Sequence, residues 1–229
     1  MKYVMADIHG EYELFVKMLE KISFSKNDEL YICGDIIEKG PDSVKLAKCI
    51  STMPNVYAIL GNHEHLFLKY YHSLLDNPTE TGVSVLEKLR AYFSDGDLLD
   101  WDTVDYLDSL PAYIEKEDFI CVHAGIPLDE SNMLRPLAST SVNQPVNDRH
   151  FKEPSVRHES EKCVFFGHTQ TDCVSGEYKI LGYPKNKSEK PTKITDFYKI
   201  HLDTGACNGG ALSCFAIDSL RAYYVKKEQ

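Results

Sequence analysis

Five short apolar runs in this chain each stop at a polar cluster with glycine beside it: Asp7-Ile8-His9-Gly10, Gly34-Asp35, Gly61-Asn62-His63-Glu64, His123-Ala124-Gly125 and Gly167-His168-Thr169. The first three runs are Lys2 to Ala6, Glu29 to Cys33 and Asn55 to Leu60. Between them apolar residues recur at helical spacing, first Leu14, Phe15, Met18, Leu19 and Ile22, then Val44, Leu46, Ala47 and Ile50 behind Pro41, which suits a first helical turn. Bounded apolar runs of this length read as buried strands. The order is therefore βαβαβ, and its crossovers predict a parallel sheet within an α/β fold. Ligands of open α/β sheets bind beyond the carboxyl ends of the strands, which is where all five clusters fall.

Two further strands, Phe119 to Val122 and Cys163 to Phe166, carry the last two clusters. From His65 to Leu110 the pattern is helical, with Leu66, Phe67, Tyr70, Tyr71 and Leu74, then Val85, Leu86, Leu89 and Phe93, and Pro111 ends it. Asp95, Asp97, Asp100, Asp102, Asp105 and Asp108 make its end acidic. Without His or Cys among them they read as a solvated helix face, favoured near helix N-termini, rather than as a second metal site. Ile126 to Glu161 is weakly periodic and proline-rich, so it is a functional loop or partly disordered. Tyr178 to Ile200 reads as two strands around a Lys-rich turn, and Leu212 to Ile217 with Leu220 to Val225 as a terminal hairpin. The organisation expected is one domain over 1–229 with a helical insertion at about 65–110.

The chain can bury a real core, being 229 residues long and 43% hydrophobic. Its net charge of −10 argues against a nucleic-acid or membrane-surface partner, either of which calls for a basic face. No apolar stretch approaches a bilayer span, and the one before Asp7 is too short for a secretory core. Seven cysteines without a CxxC pair read as reduced core thiols, so a cytoplasmic location is expected.

Taken together, the clusters bring Asp7, Asp35, Asn62 and the histidines 9, 63, 123 and 168 to one rim. Singly, each has a plain alternative: an Asp-x-His can be a hydrogen-bonded turn, and a lone His is more often structural. In phase with five strand ends they suit a transition-metal or zinc-like site. Asp35 is a suitable carboxylate to bridge two ions, which roughly 3.5–4 Å apart clamp a phosphoryl group and activate a water. The chain has no Cys-x5-Arg loop, no phosphate-binding Walker loop and no His-Glu-x-x-His helix.

These motifs, with Ile36-Ile37-Glu38-Lys39-Gly40 after Asp35 and Asp203-Thr204-Gly205-Ala206-Cys207 near the end, resemble the PPP-type (calcineurin-like) metallophosphatases. That family includes bacterial and phage serine/threonine protein phosphatases and symmetrical diadenosine tetraphosphatases. The resemblance implies a two-sheet β-sandwich flanked by helices, holding two divalent ions, Mn²⁺ first and Fe or Zn as the alternatives. It implies Asp7 and His9 at the first metal, Asp35 bridging, Asn62, His123 and His168 at the second, and His63 as general acid.

The second motif departs from the family at two positions: Glu38-Lys39 stands where the family has Asp-Arg. Glu38 can still orient His63, from one methylene further out. Lys39 keeps the phosphate-contacting charge without the planar fork of arginine. Arg149 is the choice for a second phosphate contact, with Arg157 and Arg135 as alternatives. The function implied is hydrolysis of phosphate monoesters by direct attack of a metal-bound hydroxide. Phosphoserine or phosphothreonine proteins come first as substrate, with small phosphoesters beside them, and a symmetrical dinucleoside tetraphosphate second because the chain has few arginines. A non-catalytic metal-binding protein of the same fold is the reading from another class.

Overall fold

In the computed structural model, which describes residues 1–77, 79–94 and 96–227, β1 (Lys2–Met5), β2 (Glu29–Ile32) and β3 (Val56–Ala58) pair in parallel, as the βαβαβ pattern predicts. The crossovers are α1 (Tyr12–Lys21) and α2 (Ser43–Ser51). Next comes the helical stretch α3 (Asn62–Leu75), α4 (Gly82–Arg90) and α5 (Trp101–Asp108). Of the acidic run, Asp100 caps α5, its Oδ1 accepting from Thr103 N at 2.9 Å, and Asp102 lies in the first turn. Asp97, Asp105 and Asp108 are also exposed, as a solvated face requires, while Asp95 lies outside the described residues.

A second sheet holds β4 (Tyr113–Glu115), β5 (Phe119–Val122), β6 (Cys163–Phe166), β7 (Leu181–Pro184) and β8 (Phe197–His201), in the order β4-β5-β6-β8-β7. β4 has three residues behind Pro111, two half-covered and one exposed, too few to show a period in the sequence. Short helices α6 (Asn143–Asn147) and α7 (Asp172–Ser175) flank β6 in the chain. The predicted terminal hairpin is β9 (Leu212–Ala216) with β10 (Arg221–Val225), and it joins the first sheet because β9 runs antiparallel to β1.

The core strands read as unbroken apolar runs because both faces of both sheets are covered. On β1, β2 and the residue after each, Tyr3, Met5, Leu30 and Ile32 pack toward the helices, while Val4, Ala6, Tyr31 and Cys33 pack against the other sheet. On β5 and β6, Phe119, Cys121, Cys163 and Phe165 meet them in the middle layer. The outward residues Ile120, Val122, Val164 and Phe166 are covered by the 126–158 stretch, chiefly by Ile126 and Phe151. The weakly periodic stretch is thus fastened to the second sheet, in part by fully buried Lys199, whose ammonium donates to the carbonyls of Phe151 and Glu153.

All seven cysteines are free thiols; four are buried on strands or strand ends, and Cys173 is exposed. Among the described residues no helix is long and apolar enough to cross a membrane.

Candidate metal centre

The loops leaving β1 and β2 continue the pairing of their strands beyond the sheet. Asp7 N donates to Gly34 O, His9 N to Asp35 O and Gly10 N to Ile36 O, at 3.2, 2.9 and 2.7 Å. Asp7, His9, Asp35, Glu38, Lys39 and His168 are six of the nine non-glycine residues with positive φ among those described. Left-handed backbone at such side chains costs about 1–3 kcal/mol each and persists only where the surroundings enforce it. Glu64, on the first turn of α3, does much of that enforcing. Its fully buried carboxylate accepts from Gly61 N and Asp35 N through Oε2, and from Ile36 N and Ile37 N through Oε1. The loops also approach too closely for side chains at two glycines. A Cβ at Gly61 would sit 2.2 Å from Asp35 Oδ1, and one at Gly167 1.8 Å from Asp7 Oδ2.

Asp35, 1% exposed, lies at the middle. Its Oδ2 is 3.4 Å from His9 Nε2, 3.4 Å from His123 Nε2 and 3.9 Å from His63 Nε2. Two donor clusters share it, His9–Asp35–His63 and Asp35–His123–His168, each with its candidate ligand atoms within 4.8 Å of one another. Asn62 completes the second cluster: its Oδ1 is 2.8 Å from both His123 Nε2 and His168 Nδ1. Asp7 lies beside the two clusters. Its carboxylate accepts from the backbone N–H of His168 at 3.0 Å, and by position His63 stands in the first cluster.

The donor chemistry fits divalent cations. Nδ1 of His9 faces the Ile37 carbonyl at 3.2 Å and Nδ1 of His123 faces that of Cys33 at 2.8 Å. A carbonyl only accepts, so each ring carries its proton on Nδ1 and turns the Nε2 lone pair inward, the arrangement of an oriented metal ligand. Burial pushes the pKa values of His123 and His168 down to about 3, which keeps both rings neutral. Asn62 Oδ1, His123 Nε2 and His168 Nδ1 then converge within 3.1 Å with at most one proton to share.

The carboxylates press the same way. Burial, with Asp203 and Asp35 nearby, drives Asp7 well above the carboxylate range. Burial likewise lifts Asp35 to about 6 and Asp203 to about 7. Bound cations reverse this logic by stabilising the ionised forms.

His63 stands over the centre with its Nδ1 on Glu38 Oε2, so the longer carboxylate does reach the imidazole. Burial disfavours its charged form, but Glu38 and Asp35 outweigh that and raise its pKa above the ordinary value. Burial would raise Glu38 too, yet hydrogen bonds from His63 and Tyr92 hold it below the ordinary range. Lys39 is exposed and puts its ammonium 2.8 Å from His9 Nε2, so it contacts a candidate ligand. Exposed Arg149 is near enough that its charge depresses His168. Arg157 instead lies over the ring of Tyr198, 5.6 Å from its centroid, and Arg135 is exposed on the long loop.

Sequence reasoning gave no role to Glu64, Asp203 or Tyr92. For Glu64 a signal existed, since an acid three residues after Gly61 at a helix start is a capping position. Asp203 stood in a quoted motif, but its charge coupling to Asp7 arises only when the strands close.

The calcineurin-like phosphoesterase family profile matches residues 3–202. A symmetrical bis(5'-nucleosyl)-tetraphosphatase of Buchnera aphidicola is 34% identical over 126 residues, covering 54% of this chain and 44% of its own length. The chain therefore spans about half the length of such relatives. A solved structure of a candidate diadenosine tetraphosphatase superposes with a TM-score of 0.69 at 22% identity, covering 98% of this chain and 92% of that one. A cold-active protein-tyrosine phosphatase from a psychrophilic Shewanella reaches 0.58 at 15% identity, covering 98% and 80%. At these identities the two structures speak to the fold alone.

Proposed function

The chain belongs to the calcineurin-like phosphoesterase family, and from that premise we propose that it is a two-metal hydrolase of symmetrical dinucleoside tetraphosphates. The observation that carries the hydrolase reading is the pair of donor clusters sharing Asp35. His9, Asp35, Asn62, His123 and His168, with Asp7 beside them, would hold two divalent ions, Mn²⁺ first, with Fe or Zn as the alternatives. When bound, such ions neutralise phosphoryl charge and make a water nucleophilic at neutral pH. The protein's own work lies around them. Asp35 joins the two clusters, Glu38 accepts from Nδ1–H of the protonated His63 ring so that Nε2–H faces the departing oxygen, and His63 gives that oxygen its Nε2 proton. Lys39 and Arg149 supply positive charge to the phosphate oxygens.

The choice of substrate follows the relatives, whose name is that of a tetraphosphatase. Phosphoproteins, placed first on the sequence, are favoured only by structural neighbours that speak to the fold. Symmetrical cleavage of diadenosine tetraphosphate yields two molecules of ADP. The Mn²⁺-loaded protein should form ADP as its sole nucleotide product, with a kcat/KM above that for a phosphoserine peptide. AMP with ATP would move the cut off centre. Faster turnover of the peptide would restore the phosphoprotein reading, and no turnover of either would favour a binding protein.

Lys39 gives a further test. Lys39→Ala should lower kcat/KM by roughly 10- to 150-fold, the worth of a charge-assisted hydrogen bond of about 1.5–3 kcal/mol. Lys39→Arg should preserve activity or raise it, because the fork grips two oxygens at once. Metal content should be unchanged in both. A neutral Lys39→Ala would shift the phosphate contact to Arg149.

A further inference from the structure

The helical stretch reaches the centre at one point. Directly after α4, the chain turns through Tyr92 and Ser94, and both side chains fasten onto the loop that follows β2. Ser94 Oγ donates to Gly40 O at 2.9 Å. The Tyr92 hydroxyl donates to Glu38 Oε1, while the other oxygen of the same carboxylate, Oε2, holds His63 Nδ1. Glu38 thus has both oxygens committed, one to each side. Its own backbone sits in the left-handed region at φ 68°, with its N–H donating to Ser43 Oγ at 2.9 Å.

The Tyr92 ring cannot wander. It stacks on Tyr70 at 5.3 Å and 25°, and meets Phe67 edge-on at 5.1 Å. Phe67 is buried and Tyr70 half-buried, and both ride on α3, the helix whose first turn carries Asn62 and His63. The hydroxyl is therefore aimed by the same helix that positions the acid. A glutamate has one more rotatable bond than an aspartate, so it needs an anchor on its free oxygen to present the other at a fixed angle. Tyr92 provides that anchor.

Resting on the assignment of His63 as the general acid, we propose that Tyr92 is a positioning residue for catalysis: through Glu38 it fixes the angle of the protonated His63 ring, and it makes the helical stretch part of the catalytic apparatus. Its hydroxyl bonds to Glu38 and its ring meets Phe67, Tyr70 and Phe93, so it acts on the centre through Glu38. A merely structural tyrosine would slow all substrates alike. One acting through an acid must matter most where the leaving oxygen most needs a proton.

The test is a series of phosphate monoesters from 4-nitrophenyl through phenyl to alkyl, run on the Mn²⁺-loaded wild type, Tyr92→Phe, Glu38→Ala, the double variant and His63→Asn, with metal content measured for each. Tyr92→Phe removes only the hydroxyl. It should keep its metals and KM, lose roughly 10-fold in kcat on alkyl phosphates, as outer-shell partners commonly do, and lose little on nitrophenyl phosphate. The double variant should be no slower than Glu38→Ala, because the tyrosine has nothing left to hold. Equal losses across the series, no loss at all, or losses that multiply in the double variant would each overturn the proposal. If His63→Asn itself gave a flat profile, the acid role would fall and that of Tyr92 with it. A flat profile in Tyr92→Phe alone would leave His63 in place.

Discussion

Asp35→Asn should strip the centre of metal. The substitution is nearly isosteric, and Asp35 Oδ1 accepts from His63 N at 3.1 Å, a bond that an amide oxygen can keep, so the fold should survive. The change removes the charge common to both donor clusters, where Oδ2 lies 3.4 Å from the facing nitrogens of His9 and His123. Two dications side by side repel, and a shared carboxylate offsets that repulsion more effectively than any ligand to one ion. Altering outer-shell partners of a metal commonly costs 10–100-fold in affinity, so losing a shared ligand should cost more than about 100-fold. Elemental analysis after dialysis should show the loss, together with near-complete loss of phosphoesterase activity. Two ions per chain at wild-type affinity would refute the assignment of Asp35 as the bridge.

His63→Asn should give the opposite pattern, with metal retained and turnover lost. His63 belongs by position to the first donor cluster, but its Nδ1 is committed to Glu38 and its Nε2 is the most distant of the three nitrogens from Asp35 Oδ2, at 3.9 Å. An acid role predicts a fall of about 10²–10⁴ in kcat on alkyl phosphates, the usual worth of general acid–base catalysis. The loss should shrink on nitrophenyl phosphate, whose leaving group departs without a proton. A ligand role predicts instead that metal content falls and that all substrates suffer equally. Metal stoichiometry and the leaving-group series, measured on one preparation, separate the two.

The residues gathered at the centre lie close to strand ends in the sequence. Asp7, His9, Asp35, Asn62, His63, His123 and His168 each sit within a few residues of a strand end, and parallel strands put those ends on one side. An apolar run followed by a short polar cluster is a local pattern, so all seven positions could be picked out in advance. Glu38 followed from its place after Asp35. The strands were recognisable because they are buried on both faces. β4 was not, because a strand of three residues, none of them buried, carries no period.

What the sequence determined by itself is the set of candidate donors and the direction in which the strands deliver them, since local hydrophobic patterning and glycine placement encode both. What only the tertiary structure decided is how the donors are divided and aimed. Asp7 turns onto the amide of His168, 161 residues away, and burial, with Asp203 beside it, raises its pKa. The lone pairs of His9 and His123 turn inward because the carbonyls of Ile37 and Cys33 claim the opposite nitrogens. Tyr92 reaches Glu38 across 54 residues and a run of helix with no mark of catalysis in it. The physical reason is one of range. Patterning fixes what a strand or helix buries within a few turns, whereas ring orientation and carboxylate pKa depend on hydrogen bonds and charges that meet only when distant segments pack together.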